Sequence, residues 1–316
     1  MKPLLFLAAV SVALPGLADD PPKATKPDKA DKPEVKIYDE TADAEAVVAS
    51  ALAAAKRENR RVLIQWGGNW CSWCVLLHNR FKSDPTLAKT LRYEYDVVHI
   101  DSKNKKLLEK YGVDLSTAGV PYLTVLDADG KVVANQPTEP FETKADGKNG
   151  HDPKKLNEFL VKHKAEPVRA ADLLAAALAD AAKTDRKVFL HFGAPWCGWC
   201  HKLDAWLRRP DVAPVVAKDY IDLKIDQDRM TGAKDLLEKY NKEKAGGIPW
   251  FVVLDATGKA VATSTGPKGN IGFPSDPHEI EYFAEVLDAS RKRLSEKDVE
   301  ALKKSLAPAA KAKGDK

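Results

Sequence analysis

The chain holds four cysteines, and all of them fall in two short motifs, Cys71-Ser72-Trp73-Cys74 and Cys197-Gly198-Trp199-Cys200. Each motif follows an apolar run that reads as a buried strand, Arg61 to Trp66 or Lys187 to Phe192, and opens a helical pattern reaching about Lys82 or Arg208. A cysteine at a helix N-terminus meets unpaired N–H groups and the positive end of the helix dipole, which stabilise a thiolate. Cys71 and Cys197 are therefore the candidate nucleophiles. Cys74 and Cys200 lie three residues on, on the same helix face, where each can attack a mixed disulfide made by its neighbour and release the substrate. Metal binding by the four thiols is disfavoured, because about 120 residues separate the pairs, far beyond zinc-site spacing.

The elements that must position these motifs occur twice, about 125 residues apart, a usual domain size. Asn69-Trp70-Cys71 returns as Pro195-Trp196-Cys197, Leu107 to Tyr111 as Leu236 to Tyr240, Gly119-Val120-Pro121 as Gly247-Ile248-Pro249, and Leu126 to Lys131 as Leu254 to Lys259. Each copy reads as an alanine-rich helix (Ala44 to Glu58, Ala170 to Lys183), a buried strand, the cysteine helix, and a second strand (Val97 to Ile100, Tyr220 to Ile225). A short helix, a third strand (Tyr122 to Leu126, Trp250 to Leu254) and a fourth strand joined by an Asp-x-x-Gly turn follow. Asp152-Pro153 and Asp276-Pro277 then place an N-cap and a first-turn proline at a last helix. The fold class expected is α/β: two tandem domains, each a mixed central sheet flanked by helices.

Around the pair, Met1 to Ala18 has a basic start (Lys2), an apolar stretch from Leu4 to Leu14 and small residues at Gly16 and Ala18, the pattern of a cleaved export signal. Residues 19–35 are rich in Pro, Lys and Asp and read as a disordered linker. The domains are expected over 36–164 and 165–290, with a basic, solvated tail over 291–316 that holds a short helix starting near Ser295. That tail carries nine Lys/Arg against four Asp/Glu, so it exceeds the whole net charge of +4 and leaves the body near neutral. A large nucleic-acid-binding face is therefore not expected. No apolar run reaches the 18 or so residues of a membrane span, so no stable insertion is expected either.

The sequence Trp-Cys-x-x-Cys after a strand, with Val120-Pro121 or Ile248-Pro249 about 50 residues later, resembles the thioredoxin family, and Phe192 to Cys197 does so especially. Two such units behind an export signal are similar to exported protein disulfide isomerases and periplasmic thiol reductases. The resemblance implies cis peptide bonds at Pro121 and Pro249. It also implies that Val120 and Ile248 offer backbone N–H and C=O groups to extended substrate. Trp70 and Trp196, beside the first cysteines, form a candidate apolar rim for protein substrates.

The chain departs from the family at two places. Gln65 and His191 stand where thioredoxins carry a buried acid; Gln65 cannot accept a proton, whereas His191 can, so the second domain is expected to be the more competent catalyst. Trp73 and Trp199 stand between the cysteines where no positive charge is then supplied, which favours a reductase or isomerase over an oxidase. The expected substrates are protein thiols and disulfides, with a separate redox partner and no cofactor, since the dithiol carries the two electrons. The competing expectation is an adaptor that grips partners through the proline loops while its cysteines stay permanently bonded.

Overall fold

The computed structural model describes residues 36–145, 147–242 and 246–306. The expected export signal and linker lie outside them, as does the end of the tail.

The first domain runs α1 (Ala44–Glu58), β1 (Arg61–Gly67), α2 (Ser72–Ser83), α3 (Pro85–Glu94), β2 (Tyr95–Asp101), α4 (Lys105–Lys110), α5 (Leu115–Ala118), β3 (Tyr122–Leu126), β4 (Val132–Pro137), a hairpin of β5 (Glu142–Ala145) and β6 (Lys148–His151), and α6 (Pro153–His163). The second runs α7 (Ala170–Thr184), β7 (Lys187–Gly193), α8 (Gly198–Leu207), α9 (Ala213–Val216), β8 (Tyr220–Asp226), α10 (Ala233–Tyr240), β9 (Trp250–Leu254), β10 (Ala260–Thr263), short β11 (Thr265–Gly266) and β12 (Gly269–Asn270), α11 (Pro277–Ser290) and α12 (Glu296–Leu306). The two four-stranded sheets share one order, β2-β1-β3-β4 and β8-β7-β9-β10. In each, the cysteine-bearing strand pairs in parallel with the second strand and antiparallel with the third. The fold is mixed α/β, as expected from the alternation of helices and strands.

Helices cover both faces of each sheet, which explains why the central strands read as continuous apolar runs. Alternation along β1 sends Val62, Ile64 and Trp66 toward α1 and α4, and Leu63 toward α2, α3 and α6, where Leu77, Leu87, Leu156 and Leu160 meet it. In β7, Val188, Leu190 and Phe192 take the first of these faces and Phe189 the second. Gln65 and His191, two residues beyond Leu63 and Phe189, therefore lie under the cysteine helices. The register places His99 beside Gln65 and Lys224 beside His191.

Helix ends are set by local chemistry. Asp43 caps α1 by accepting from the N–H groups of Glu45 and Ala46, and Asp152 does the same for Lys154 and Lys155 at α6. At α11 the Glu279 carboxylate accepts the Asp276 N–H at 3.1 Å.

The expectation of a solvated tail from Arg291 is corrected as far as Leu306. Leu294, Val299, Leu302 and Leu306 are buried in the core of the second domain. The buried Asp219 carboxylate accepts the N–H groups of Lys292, Arg293 and Leu294, each at 2.8 Å, and Trp206 Nε1 donates to Ser305 Oγ at 2.9 Å. Every third or fourth residue of α12 is apolar, a stripe that its many lysines masked in the composition. Among the described residues no helix is long and apolar enough to cross a membrane.

The two domains meet through charged and polar groups. Arg229, buried, donates to Glu58 O at 2.6 Å and to Asn59 O at 2.7 Å, and pairs with Glu94 at 3.1 Å. Tyr93 Oη donates to Asp228 at 3.2 Å, and Asn59 Nδ2 to Glu166 O at 2.8 Å.

Candidate active site

Cys71 and Cys197 are the N-cap residues of α2 and α8, and each Sγ accepts the N–H of the second cysteine at 3.1 Å. Each pair is bonded as a disulfide, with Cα atoms 5.2 Å apart. The strand before each motif ends in glycine because the second cysteine comes close there. A Cβ on Gly67 would lie 2.5 Å from both Cys74 Sγ and Tyr38 Oη, and one on Gly193 would lie 3.1 Å from Cys200 Cβ.

The Val120–Pro121 and Ile248–Pro249 bonds are cis, the geometry the resemblance implied. These loops stand against the cysteines: Cys71 Sγ lies 3.9 Å from Val120 O, and Cys197 Sγ 3.5 Å from Ile248 O. In the second domain a cavity of about 210 Å³ opens beside the loop, between Trp199, Pro249 and Phe273. Asn270 Nδ2 donates to both Gly247 O and Pro249 O at 2.9 Å, and in the first domain Thr138 Oγ1 donates to Pro121 O at 2.7 Å. The long loops after the fourth strands thus pin the proline loops.

Trp70 and Trp196 are 65% and 53% exposed, beside the first cysteines. Trp196 Nε1 donates to Asp228 at 2.8 Å, and Lys202 Nζ sits 3.7 Å above the Trp199 ring. Trp66, Trp206 and Trp250 are buried core.

The groups beneath the second cysteines differ between domains by more than the Gln65/His191 exchange. His191 is held between two carboxylates. Its Nε2 bonds Asp222 at 2.9 Å and its Nδ1 lies 3.9 Å from the buried Asp204 carboxylate, one helical turn beyond Cys200. Asp204 pairs closely with Lys224, and Lys224 Nζ also holds Glu58 of the first domain at 2.9 Å. Burial opposes the charge on Lys224, but the carboxylates of Asp204 and Glu58 outweigh it and raise its proton affinity. Burial likewise opposes the charge on Glu58, yet Lys224 holds its carboxyl below the usual value.

In the first domain Gln65 Nε2 donates to Tyr38 Oη at 2.9 Å and to Cys74 O at 3.1 Å. The positions of Asp204 and Lys224 are taken there by His78 and His99, whose rings bond at 3.1 Å between Nδ1 and Nε2. Burial, and then His78 and Lys82, push His99 down to about 4; burial and Lys82 also lower His78. His78 is half-buried against β2. His151, buried and with both ring nitrogens unpartnered, packs edge-on to Trp73 at 5.4 Å. Sequence reading missed Asp204, Lys224, His99 and Glu58, although the i,i+4 spacing from each second cysteine marks Asp204 and His78.

These features define a thioredoxin-like protein. A family model described as a thioredoxin-like domain matches residues 48–140, and a DsbH-type thioredoxin model, described as a protein of unknown function, DUF255, matches residues 153–307. The chain belongs to the thioredoxin family. It is similar to protein disulfide-isomerase erp38 of Neurospora crassa, at 28% identity over 246 residues, which are 74% of this chain and 59% of that relative. Among solved structures it is similar to a disulphide isomerase from Xylella fastidiosa Temecula1, at 30% identity and a TM-score of 0.32, over 40% of this chain and 94% of that one. It is also similar to the oxidised C-terminal domain of DsbD from Neisseria meningitidis, at 25% identity and a TM-score of 0.29, over 39% and 99% respectively.

Proposed function

We propose that the chain is an exported thiol–disulfide oxidoreductase that reduces or isomerises protein disulfides, with an unidentified partner restoring its redox state. The observation that carries this reading is the meeting of two parts at one point. The sulfur of a helix-capping cysteine stands 3.5 Å from the carbonyl that precedes a cis-proline, beside an open groove. Capping N–H groups and the helix dipole favour a thiolate on Cys197, and the Ile248 backbone can hold extended substrate strand-fashion.

In the reducing direction the Cys197 thiolate attacks one sulfur of the substrate disulfide. The other substrate sulfur leaves as a thiolate and takes a proton from water. Cys200 then gives up its proton and attacks Cys197 Sγ, so the second substrate thiol departs and the internal disulfide forms. Two electrons pass from the dithiol to the substrate, and no cofactor is required. Cys71 and Cys74 run the same steps in the first domain, at a site without a charged base. Export rests on the pattern of Met1 to Ala18.

Insulin reduction by the wild type and by Cys71→Ala and Cys197→Ala variants tests the reading. Turnover is expected in the wild type, with the larger loss in Cys197→Ala. No turnover by either domain overturns the reading in favour of a binding module with permanent disulfides. Loss confined to Cys71→Ala overturns the ranking of the domains.

A further inference from the structure

The second domain's site contains a group from outside that domain. Glu58 ends α1 of the first domain, yet its two carboxylate oxygens lie 2.9 and 3.2 Å from Lys224 Nζ, and the pair is largely withdrawn from solvent. The stem of Lys224 and the second cysteine both approach Gly193. A Cβ built on Gly193 would have Cys200 Sγ at 3.4 Å and Lys224 Cε at 3.8 Å. Lys224 also pairs with Asp204, which His191 faces, while Asp222 takes the other side of His191. The remaining charges around these groups are Arg208, 3.9 Å from Asp204, Arg60 facing Glu58, and Asp226 with Arg229 at the end of β8. In the first domain the place of Lys224 is held by His99, and its partner is His78.

On the reading of Cys197 and Cys200 as a working dithiol, we propose that Glu58 is a positioning residue for the second site. Its carboxylate adds a second negative charge to Lys224, which Asp204 already pairs, and so raises the pH at which the Cys200 thiol loses its proton. The docked first domain thereby tunes the resolving cysteine of the second. The physical step is simple: each carboxylate in the group around Lys224 makes a nearby thiolate less favourable, so removing the charge of Glu58 while Asp204 stays favours the thiolate.

The test uses the full-length chain with Cys71, Cys74 and Cys197 replaced by Ser, which leaves Cys200 as the lone thiol. Its ionisation is followed by the ultraviolet absorbance of the thiolate against pH. Glu58→Gln is expected to lower the midpoint by about half a pH unit or more. Glu94→Gln, which breaks another ion pair of the same interface, is expected to leave it in place. Should Glu58→Gln not fold, Glu58→Ser in the same background carries the same expectation. An unmoved midpoint, or an equal movement in Glu94→Gln, overturns the proposal. Insulin reduction by the chain with all four cysteines tests the dithiol reading separately. Failure there with a shifted midpoint overturns the enzyme and leaves the charge coupling standing. Turnover with an unmoved midpoint does the reverse.

Discussion

At Gly67 the chain has no room for a methyl group, because a Cβ there would meet the Cys74 sulfur and the Tyr38 hydroxyl at 2.5 Å. Both neighbours are buried, and the sulfur is covalently tied, so the backbone must shift to accept it. Gly67→Ala is expected to cost about 1–3 kcal/mol, the usual range for overpacking a core. Gly193→Ala is expected to cost less, since its nearest contact is 3.1 Å. Urea midpoints of the two variants give the comparison. His99 supplies a second test at this scale. Its folded value of about 4 lies below the ordinary 6.5, so the folded state binds fewer protons than the unfolded chain between those values. The stability it contributes is therefore complete above pH 6.5 and is lost as pH falls toward 4, to a total of about 3 kcal/mol. Buried His151, also held near 4 by burial and by Arg80, works in the same direction. The urea midpoint is expected to fall from pH 7 to pH 5, and His99→Gln to flatten that fall in part. A slope unchanged by His99→Gln would count against the assignment.

At the scale of elements, the cysteine helix and the two strands beneath it form one device used twice. The strand alternation that buries Leu63 and Phe189 also aims Gln65 and His191 at that helix. Much of this was legible from residue order. The strands, the cysteine helices and the Asp-Pro helix starts follow from apolar periodicity and local turn chemistry, the proline loops were implied by the family resemblance, and Gln65 against His191 announced an asymmetry. The rest was not legible, because it depends on register between strands distant in sequence. Lys224 reaches the site only because β8 pairs with β7 so that residues 224 and 191 stand side by side. The same limit hid the burial of α12, a helix the sequence announced near Ser295, because its apolar stripe gains its meaning only when α11 offers a surface. Leu302, 1% exposed on α12, is part of the core rather than of a tail. Leu302→Ala is expected to destabilise the second domain by about 2–5 kcal/mol, measured by urea unfolding. A change under about 0.5 kcal/mol, the usual size for a surface site, would return α12 to the solvent.

At the scale of the whole molecule, the polar contacts described between the domains include three on one side chain. Arg229 is buried and spends both terminal nitrogens on the first domain, on two backbone carbonyls at the end of α1 and on Glu94 of α3. Arg229→Ala leaves those two carbonyls and the Glu94 carboxylate without their donor, in a place that water reaches poorly, so the contact loses more than the arginine itself supplied. Nothing in either sheet depends on Arg229, and each domain keeps its own two-sided core. The domains should then stay folded and come apart. Calorimetry of the wild type is expected to show one cooperative transition, and of Arg229→Ala two, with the segment between α6 and α7 newly open to protease. Separation also removes Glu58 from Lys224, so in the chain with Cys200 as its lone thiol the ionisation midpoint should fall in Arg229→Ala as it does in Glu58→Gln. One transition in both proteins would mean that the domains are held by something other than this arginine. Two transitions with an unmoved midpoint would mean that docking holds the domains together without reaching the chemistry at Cys200.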